Sequence, residues 1–160
     1  MERFFIRELK PTDYRRVLEI YNSNREFLLN HLGAETVEEG FISDEAVTME
    51  KVGFCSCVIV NETTQTVQGV LDYKPDDEVY LSLLMLGEEI QGKGIGKKIY
   101  SMFEVQMRKE NRTSIRIDVV NDYEGNAVLF WKKLGFVENE TITLEWGNKK
   151  SKAIVMRKRI

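Results

Sequence analysis

One short segment limits what this chain can fold into: the glycine-rich stretch 91–97, which separates an apolar run from an amphipathic one. The run before it, 78–86, is almost continuously apolar, as buried strands are. After it, apolar side chains recur every three or four residues over 94–110, which predicts a helix. Residues 114–120 alternate as a second strand does. Strand, helix and strand at this spacing predict a right-handed crossover between two parallel strands.

The rest of the chain predicts helices and a meander before the crossover, and a hairpin after it. Apolar residues at helical spacing predict helices over 14–21, 25–32 and 125–134, whereas the acidic stretch 35–51 is helical only in part. The other predicted strands are 4–9, 54–61, 66–73, 141–146 and 152–156. The fold class is therefore a mixed α/β (α+β) sheet, antiparallel at first and parallel in the middle, in a single domain over residues 1–160.

Composition excludes several classes of protein. With 42% hydrophobic and 31% charged residues and only 2 Pro, the chain is neither disordered nor collagen-like. No apolar stretch approaches the roughly 18 residues that a membrane span needs, and the first residues lack the apolar core of a secretory signal. We therefore expect a cytoplasmic protein without a membrane partner. Cys55 and Cys57 fall on one face of a predicted strand, where two reduced thiols are expected and no metal site.

Charge is unevenly distributed along the chain. The net charge of −3 does not indicate the excess of basic residues that is typical of nucleic-acid binding proteins. Residues 91–109 carry five basic residues against one acidic residue, which predicts an anionic ligand near the glycine-rich turn. Residues 1–50 carry eleven acidic residues against six basic ones, a balance suited to a cationic ligand or simply to a solvated surface.

The glycine-rich turn is suited to phosphate, because glycine allows the backbone to approach a ligand and a helix start offers unpaired N–H groups. Two common phosphate-binding motifs do not fit. A dinucleotide fingerprint beginning at Gly92 needs a glycine where Lys97 stands. A P-loop beginning at Gly87 needs a hydroxyl residue where Gly94 stands.

The motif that remains is Q-x-x-G-x-G, formed by Gln91, Gly94 and Gly96. A second motif, A-x-x-F-W-x-K-x-G-F, occupies 127–136 at the end of the later helix. With both motifs at βαβα spacing, the chain resembles the GNAT superfamily of acyl-coenzyme A dependent N-acetyltransferases. The specific resemblance covers about 79–137. It implies that the two strands flanking the crossover splay apart.

The resemblance also implies a cofactor site. The turn would bind the pyrophosphate of coenzyme A, and the preceding strand would pair with the pantetheine arm. The residues implied to bind the cofactor are Leu84, Met85, Leu86, Gln91, Gly92, Lys93, Gly94, Ile95, Gly96, Lys97, Asn126 and Trp131. The family usually has an asparagine where this chain has Glu124, and Asn126 is included because it is the nearest residue with a side-chain amide. Acetyl-coenzyme A is the implied co-substrate, and no metal is implied.

The implied reaction is direct attack of an amine on the thioester within a ternary complex, with a main-chain N–H at Leu86 polarising the carbonyl. Where the family often has a proton-donating tyrosine, this chain has Trp131, a very weak acid. Either the thiolate leaves with hydrogen-bond help alone or by way of water, or Tyr123 or another tyrosine donates the proton. Glu78 and Tyr80, with Asp72 on the neighbouring strand, are the candidates to order a water near the amine.

Three functions remain open from the sequence. The first is transfer of an acetyl group to a primary amine, which the acidic first third suggests is a small molecule. The second is a non-catalytic coenzyme A binding or sensor domain, suggested by Trp131. The third is a nucleotide-binding domain, which ATP or NAD would stabilise in place of acetyl-coenzyme A. The sequence is compatible with either a monomer or a homodimer. If the final strand lies at a sheet edge, the basic residues over 149–159 disfavour pairing with a second chain through it.

Overall fold

The computed structural model describes residues 1–160 and is built on one seven-stranded sheet with the order β1-β2-β3-β4-β5-β7-β6. The strands are β1 (Phe4–Glu8), β2 (Cys55–Asn61), β3 (Val67–Lys74), β4 (Val79–Leu86), β5 (Ser114–Val120), β6 (Val137–Trp146) and β7 (Lys149–Arg159). The helices are α1 (Tyr14–Ser23), α2 (Arg25–Leu32), α3 (Phe41–Lys51), α4 (Ile95–Lys109) and α5 (Val128–Lys133).

The predicted mixed sheet is confirmed. Strands β1 to β4 form an antiparallel meander, and β4 runs parallel to β5 after the α4 crossover. The partial helicity expected for the acidic stretch is confirmed. Residues 35–40 are not helical, and α3 begins at Phe41, with Ile42 buried in the same core as Val17 and Tyr21 of α1. One helix boundary differs from the prediction. Helix α5 begins at Val128 because Gly125 takes a left-handed φ of 81° that ends any earlier helical turn.

The closing hairpin is longer than predicted and differently placed. Strand β7 pairs with β5 over seven residues, from Ser114 opposite Arg159 to Val120 opposite Ala153, and its other side pairs with β6. The final strand is therefore interior, and the expectation that it lies at a sheet edge is wrong. Burial explains the position, because Ala153 and Val155 are fully buried and could not face solvent at an edge.

Two hydrophobic cores lie on opposite faces of the sheet. Helices α4 and α5 cover one face, where Ile99 and Phe103 pack in the same core as Leu71 of β3. Helices α1 to α3 cover the other, where Ile20 packs in the same core as Val70 of β3. Neighbouring strand residues serve different cores because successive side chains point to opposite faces.

A β-bulge interrupts the middle of β4. Asp72 and Tyr73 are consecutive on β3, but they lie opposite Leu83 and Leu81, so Ser82 is the extra residue. The Ser82 hydroxyl donates to the backbone carbonyl of Asp72 at 3.2 Å. A bulge bends its strand and increases the local twist. The second half of β4 is therefore turned away from the line set by its first half.

None of the helices combines the length and the apolar character needed to cross a bilayer. Cys55 and Cys57 are free, half-buried thiols, and burial raises the pKa of the Cys57 thiol to about 12. No group of three or more His, Cys, Asp or Glu side chains is arranged to hold a metal ion.

The turn between β1 and α1 is held by a charged pair. Arg7 donates two hydrogen bonds to the carboxylate of Asp13, at 2.8 and 2.9 Å, and the Lys10 backbone N–H donates a third at 2.8 Å. The Asp13 side chain is only 7% exposed, against 31% for Arg7. The Arg7 guanidinium is the largest influence on the Asp13 carboxyl and holds its pKa below the usual value.

We expect Asp13→Asn to lower the free energy of unfolding by about 1–3 kcal/mol at neutral pH, because it removes a buried charge that three donors satisfy. Because the pKa of Asp13 is lower in the folded than in the unfolded state, its carboxylate stabilises the fold fully above the unfolded-state pKa. This stabilisation is lost as the pH falls through the folded-state pKa. The difference in the free energy of unfolding between wild type and variant should therefore decrease below about pH 4. Urea unfolding at several pH values measures this difference. Glu19→Gln, which breaks an exposed pair with Arg16, is the control and should cost less than about 0.5 kcal/mol.

Candidate active site

The candidate site is the gap between the two parallel strands. Strands β4 and β5 pair at only two positions, Val79 with Ile115 and Tyr80 with Arg116. Beyond this point the bulge carries β4 away from β5. The strands then flank a cleft of about 980 Å³, which helices α2, α4 and α5 complete. A gap between strands at the carboxyl end of a parallel pair is a common location for ligands.

The cleft side of β4 is an unpaired strand edge. The Gly87 N–H donates to the Gln68 carbonyl on the β3 side, at 2.8 Å. Because successive backbone groups along a strand point in opposite directions, the N–H groups of Leu86 and Leu84 face the cleft, whereas that of Met85 faces β3. Met85 is also buried in the core beneath α1 to α3. Two backbone donors, two residues apart, are thus available to an extended ligand.

The glycine-rich turn closes one end of the cleft. Gly92 and Gly94 have φ values of 73° and 76°, and a Cβ added to either residue would meet no atom within 4 Å. Backbone conformation, and not lack of space, therefore requires glycine here. Gly94 is the N-cap of α4, and Lys97 lies in the first turn of that helix on the cleft wall. Free N–H groups, the helix dipole and a lysine together favour an anion.

Asn24 and Gln91 fix the turn to the end of β4. The Asn24 side-chain amide donates to the carbonyls of Ile20 and Leu86, both at 2.9 Å. The Gln91 amide donates to Leu86 at 2.9 Å and to the Asn24 side-chain oxygen at 2.7 Å. Gln91 therefore shapes the turn through its side chain. Asn24 has the same role from the α1–α2 junction, and no motif in the sequence marks it.

Trp131 lines the cleft and anchors a core at the same time. Its side chain is 9% exposed, and its ring meets Tyr100 and Phe136 edge to face at 5.6 and 5.4 Å. The adjacent Phe130 ring contacts Trp131 and lies 3.5 Å from where a Cβ on Gly96 would stand. Two aromatic residues thus form the α5 wall, and the indole is held in place by packing.

The opposite wall carries aromatic residues that the motifs did not reveal. Phe27 and His31, one turn apart on α2, stack at 3.8 Å between ring centroids. The His31 ring also meets Tyr123, from the loop after β5, edge to face at 5.7 Å. Burial is the main cause that raises the pKa of the Tyr123 phenol. Tyr123, one of the predicted residues, is therefore protonated at neutral pH and lies within the cleft.

The other predicted acid–base residues lie elsewhere. Glu78 accepts a hydrogen bond from Arg157 at 2.8 Å, and the Tyr80 ring lies 5.7 Å from the Arg116 guanidinium. Both line a separate hollow of about 840 Å³ where β4 and β5 begin. Burial raises the pKa of the Asp72 carboxyl to about 7, but this residue lies on β3 and outside the lining of the cleft.

One buried acid at the cleft was missed. Asp118 on β5 lines the cleft with its side chain 4% exposed, and Arg116 donates two hydrogen bonds to it at 2.9 and 3.1 Å. Its charge is therefore largely compensated. Among the predicted residues, Asn126 donates to the Tyr123 carbonyl and accepts from the Val128 N–H, so its amide orders the loop before α5.

The geometry defines a class: an α/β protein with a splayed parallel pair, an open strand edge and an anion-binding turn at one end of the gap. The model of the acetyltransferase (GNAT) family matches residues 5–136. The chain belongs to this family of acetyltransferases, whose members use acetyl-coenzyme A. Comparison with curated protein sequences finds no significant match.

Solved structures agree on the fold at low sequence identity. The PaiA N-acetyltransferase from Thermoplasma acidophilum in complex with coenzyme A has a TM-score of 0.69 at 19% identity, over 99% of both chains. Spermidine N-acetyltransferase from Vibrio cholerae, in complex with coenzyme A and spermine, scores 0.73 at 17% identity, over 98% of this chain and 95% of that one. The ribosomal-protein-S18-alanine N-acetyltransferase from Escherichia coli scores 0.73 at 15% identity, over 99% and 94%.

We expect Asn24→Ala to destabilise the fold by about 1–2 kcal/mol, because it removes the hydrogen bonds of Asn24 to the Ile20 and Leu86 carbonyls and one of the two made by the Gln91 amide. Amide hydrogen exchange over 86–94 should accelerate, since Asn24 holds this segment. Urea unfolding and exchange mass spectrometry measure both effects. Asn30→Ala is the matched control, because that amide bonds only to the Glu26 carbonyl on its own helix. Equal exchange rates in the two variants would contradict the role given to Asn24.

Proposed function

We propose that residues 1–160 act as one N-acetyltransferase domain that transfers an acetyl group from acetyl-coenzyme A to the primary amine of a small molecule. The observation that carries the proposal is the continuity of the site. The left-handed glycines of the turn lead directly to the open edge of β4, which leads to the interior of the cleft. A long ligand with an anionic end and an amide-containing arm fits such a path.

The individual contacts follow from this path. The N–H groups of the turn and the first helical turn of α4, with Lys97 beside them, would bind the pyrophosphate. The N–H groups of Leu86 and Leu84 would bind the arm as an added strand binds to a sheet edge. The arm enters from the turn, so Leu84 lies deeper along it than Leu86. Either N–H is oriented to polarise a thioester carbonyl, the role that the sequence analysis gave to Leu86.

The chemistry needs no nucleophilic side chain. A neutral amine held next to the thioester attacks it directly, and holding the two substrates together supplies much of the rate enhancement. The departing sulfur takes a proton from a nearby donor. The phenol of Tyr123 is suited to this, because its raised pKa keeps it protonated and it lies in the cleft, whereas Trp131 is fixed in the core.

The acceptor is inferred from charge. The α2 side of the cleft carries the exposed carboxylate of Glu26, whereas the Asp118 carboxylate on the β5 side is paired with Arg116. The E. coli neighbour is named for an alanine of a ribosomal protein and the V. cholerae neighbour for spermidine, so both protein amines and small amines need testing. We favour a small amine because residues 1–50 are rich in acidic side chains, and because Phe27, His31 and Tyr123 pack together as one aromatic wall of the cleft.

A non-catalytic coenzyme A binding domain is the second candidate, favoured by the burial of Trp131 at the family's usual proton-donor position. Acetyl-coenzyme A should stabilise the protein in either case, by about 2.7 kcal/mol at 100 times Kd. We therefore expect a rise of several degrees in Tm with acetyl-coenzyme A and none with ATP or NAD.

Turnover separates the two candidates. We expect thiol release with at least one member of a panel of polyamines, aminoglycosides and amino acids, with the acetylated product identified by mass spectrometry. Thermal stabilisation without thiol release from any amine or any peptide N-terminus supports the sensor. Activity on peptide N-termini alone would overturn the small-molecule acceptor but leave acetyl transfer intact.

Gly94→Ala tests the turn. Alanine at a φ of 76° is strained by about 1–2 kcal/mol, and relief of that strain would rotate the N–H groups that face the ligand. We expect the KM for acetyl-coenzyme A to rise about tenfold or more, with a smaller change in kcat. Gly40→Ala is the matched control, since Gly40 also has a positive φ and open space, at the start of α3 and away from the cleft. Equal KM values in the two variants would contradict the binding role.

A further inference from the structure

His31 is the only histidine of the chain, and it lies inside the cleft. It belongs to the last turn of α2, which lines the cleft from the side of the sheet covered by α1 to α3. One face of the imidazole stacks on Phe27, with 17° between the ring planes, and Tyr123 contacts the ring edge to face. Two aromatic neighbours therefore hold the ring in one orientation.

The hydrogen bonding of the ring defines its tautomer. Nδ1 lies 2.8 Å from the backbone carbonyl of Phe27, and a carbonyl can only accept, so Nδ1 carries the proton. In the neutral ring the lone pair is then on Nε2. No protein atom makes a hydrogen bond to Nε2, since the Phe27 carbonyl is the one partner of the ring. An oriented basic nitrogen without a protein partner is thus present in the cleft.

We propose that Nε2 of His31 is the general base that takes a proton from the ammonium group of the acceptor. The proposal rests on the acetyl transfer proposed above and deepens it by naming the base. It also agrees with the position of Glu78 and Tyr80 outside the cleft, and with the Asp118 carboxylate being committed to Arg116.

The protons and electron pairs balance in this reaction. One ammonium proton passes to Nε2 and from the imidazolium to solvent. The lone pair of the amine forms the C–N bond as the C–S bond breaks, and that electron pair leaves on sulfur. The second proton that the nitrogen loses reaches the sulfur, by way of Tyr123 or water. The products are an acetamide, the free thiol and one released proton.

The electrostatic surroundings keep the base neutral at physiological pH. Burial is the largest influence and lowers the His31 pKa below its usual value of about 6.5. Lys149 of β7 also lowers it, whereas the Phe27 carbonyl and Asp122 of the loop after β5 raise it. Lys149 and Asp122 lie 3.8 Å apart and act on the His31 pKa in opposite directions. A base that is mostly unprotonated at pH 7 is ready to accept a proton.

The test uses the intact protein and a substrate from the amine panel. His31→Gln keeps an amide near the Phe27 carbonyl but cannot take a proton. We expect kcat/KM to fall about 100-fold at pH 7, the acid limb of the kcat/KM profile to disappear and the affinity for coenzyme A to stay within threefold. Phe27→Leu is the matched control, because it removes the stacking partner and keeps the base. Its kcat/KM should fall less, and its acid limb should remain.

Magnetic resonance gives a readout that does not depend on turnover. A single histidine gives one set of imidazole signals, from which nitrogen shifts report the tautomer and a titration reports the pKa. We expect the Nδ1–H tautomer, a pKa below 6.5 and agreement between this value and the acid limb of kcat/KM. An Nε2–H tautomer, or a His31→Gln variant with wild-type kcat/KM and the same acid limb, would overturn the role of His31 alone. Absence of turnover in the wild type would overturn the proposed function instead.

Discussion

The extra residue in β4 is the feature on which the rest of the site depends. Ser82 has no counterpart on β3, so β4 bends at its centre and separates from β5 after two paired positions. A regular strand would have continued the ladder and used the N–H groups of Leu84 and Leu86 for pairing. The bulge instead leaves these groups unpaired beside a cleft. Strand β5 keeps a ladder of seven paired residues with β7 on its other side.

The two faces of the sheet contribute different chemistry to this cleft. Helices α4 and α5 lie on one face and supply the glycine-rich turn, Lys97 and a rigid aromatic wall. Helix α2 lies on the other face and supplies Phe27 and His31. Asn24 and Gln91 join the two sides at the end of β4. An anionic ligand and an amine can therefore approach the same strand edge from opposite faces, which is what direct transfer requires.

Local patterns predicted most of the fold and the cofactor half of the site. The period change after Leu86 located the crossover, and the spacing of Gln91, Gly94 and Gly96 located the turn, because both depend on backbone conformation that neighbouring residues dictate. The same reasoning predicted that 35–51 is helical only in part but did not give the bounds of α3, whose Ile42 is buried in one core with α1 residues. It failed for β7, whose interior position depends on pairing with a strand about forty residues earlier.

The acceptor side shows why single residues were harder to identify. His31, Asn24 and Asp118 are separated along the chain and belong to no motif, so only the folded protein brings them to one cleft. Glu78 and Tyr80 were plausible on strand position, but ion pairing with Arg157 and packing near Arg116 place them at the other end of β4. The sequence by itself determined the crossover, the turn and the family resemblance, because these follow from local periodicity and φ preferences. Only tertiary structure decided which side chains share the cleft, because bulges, strand order and burial depend on contacts between distant segments.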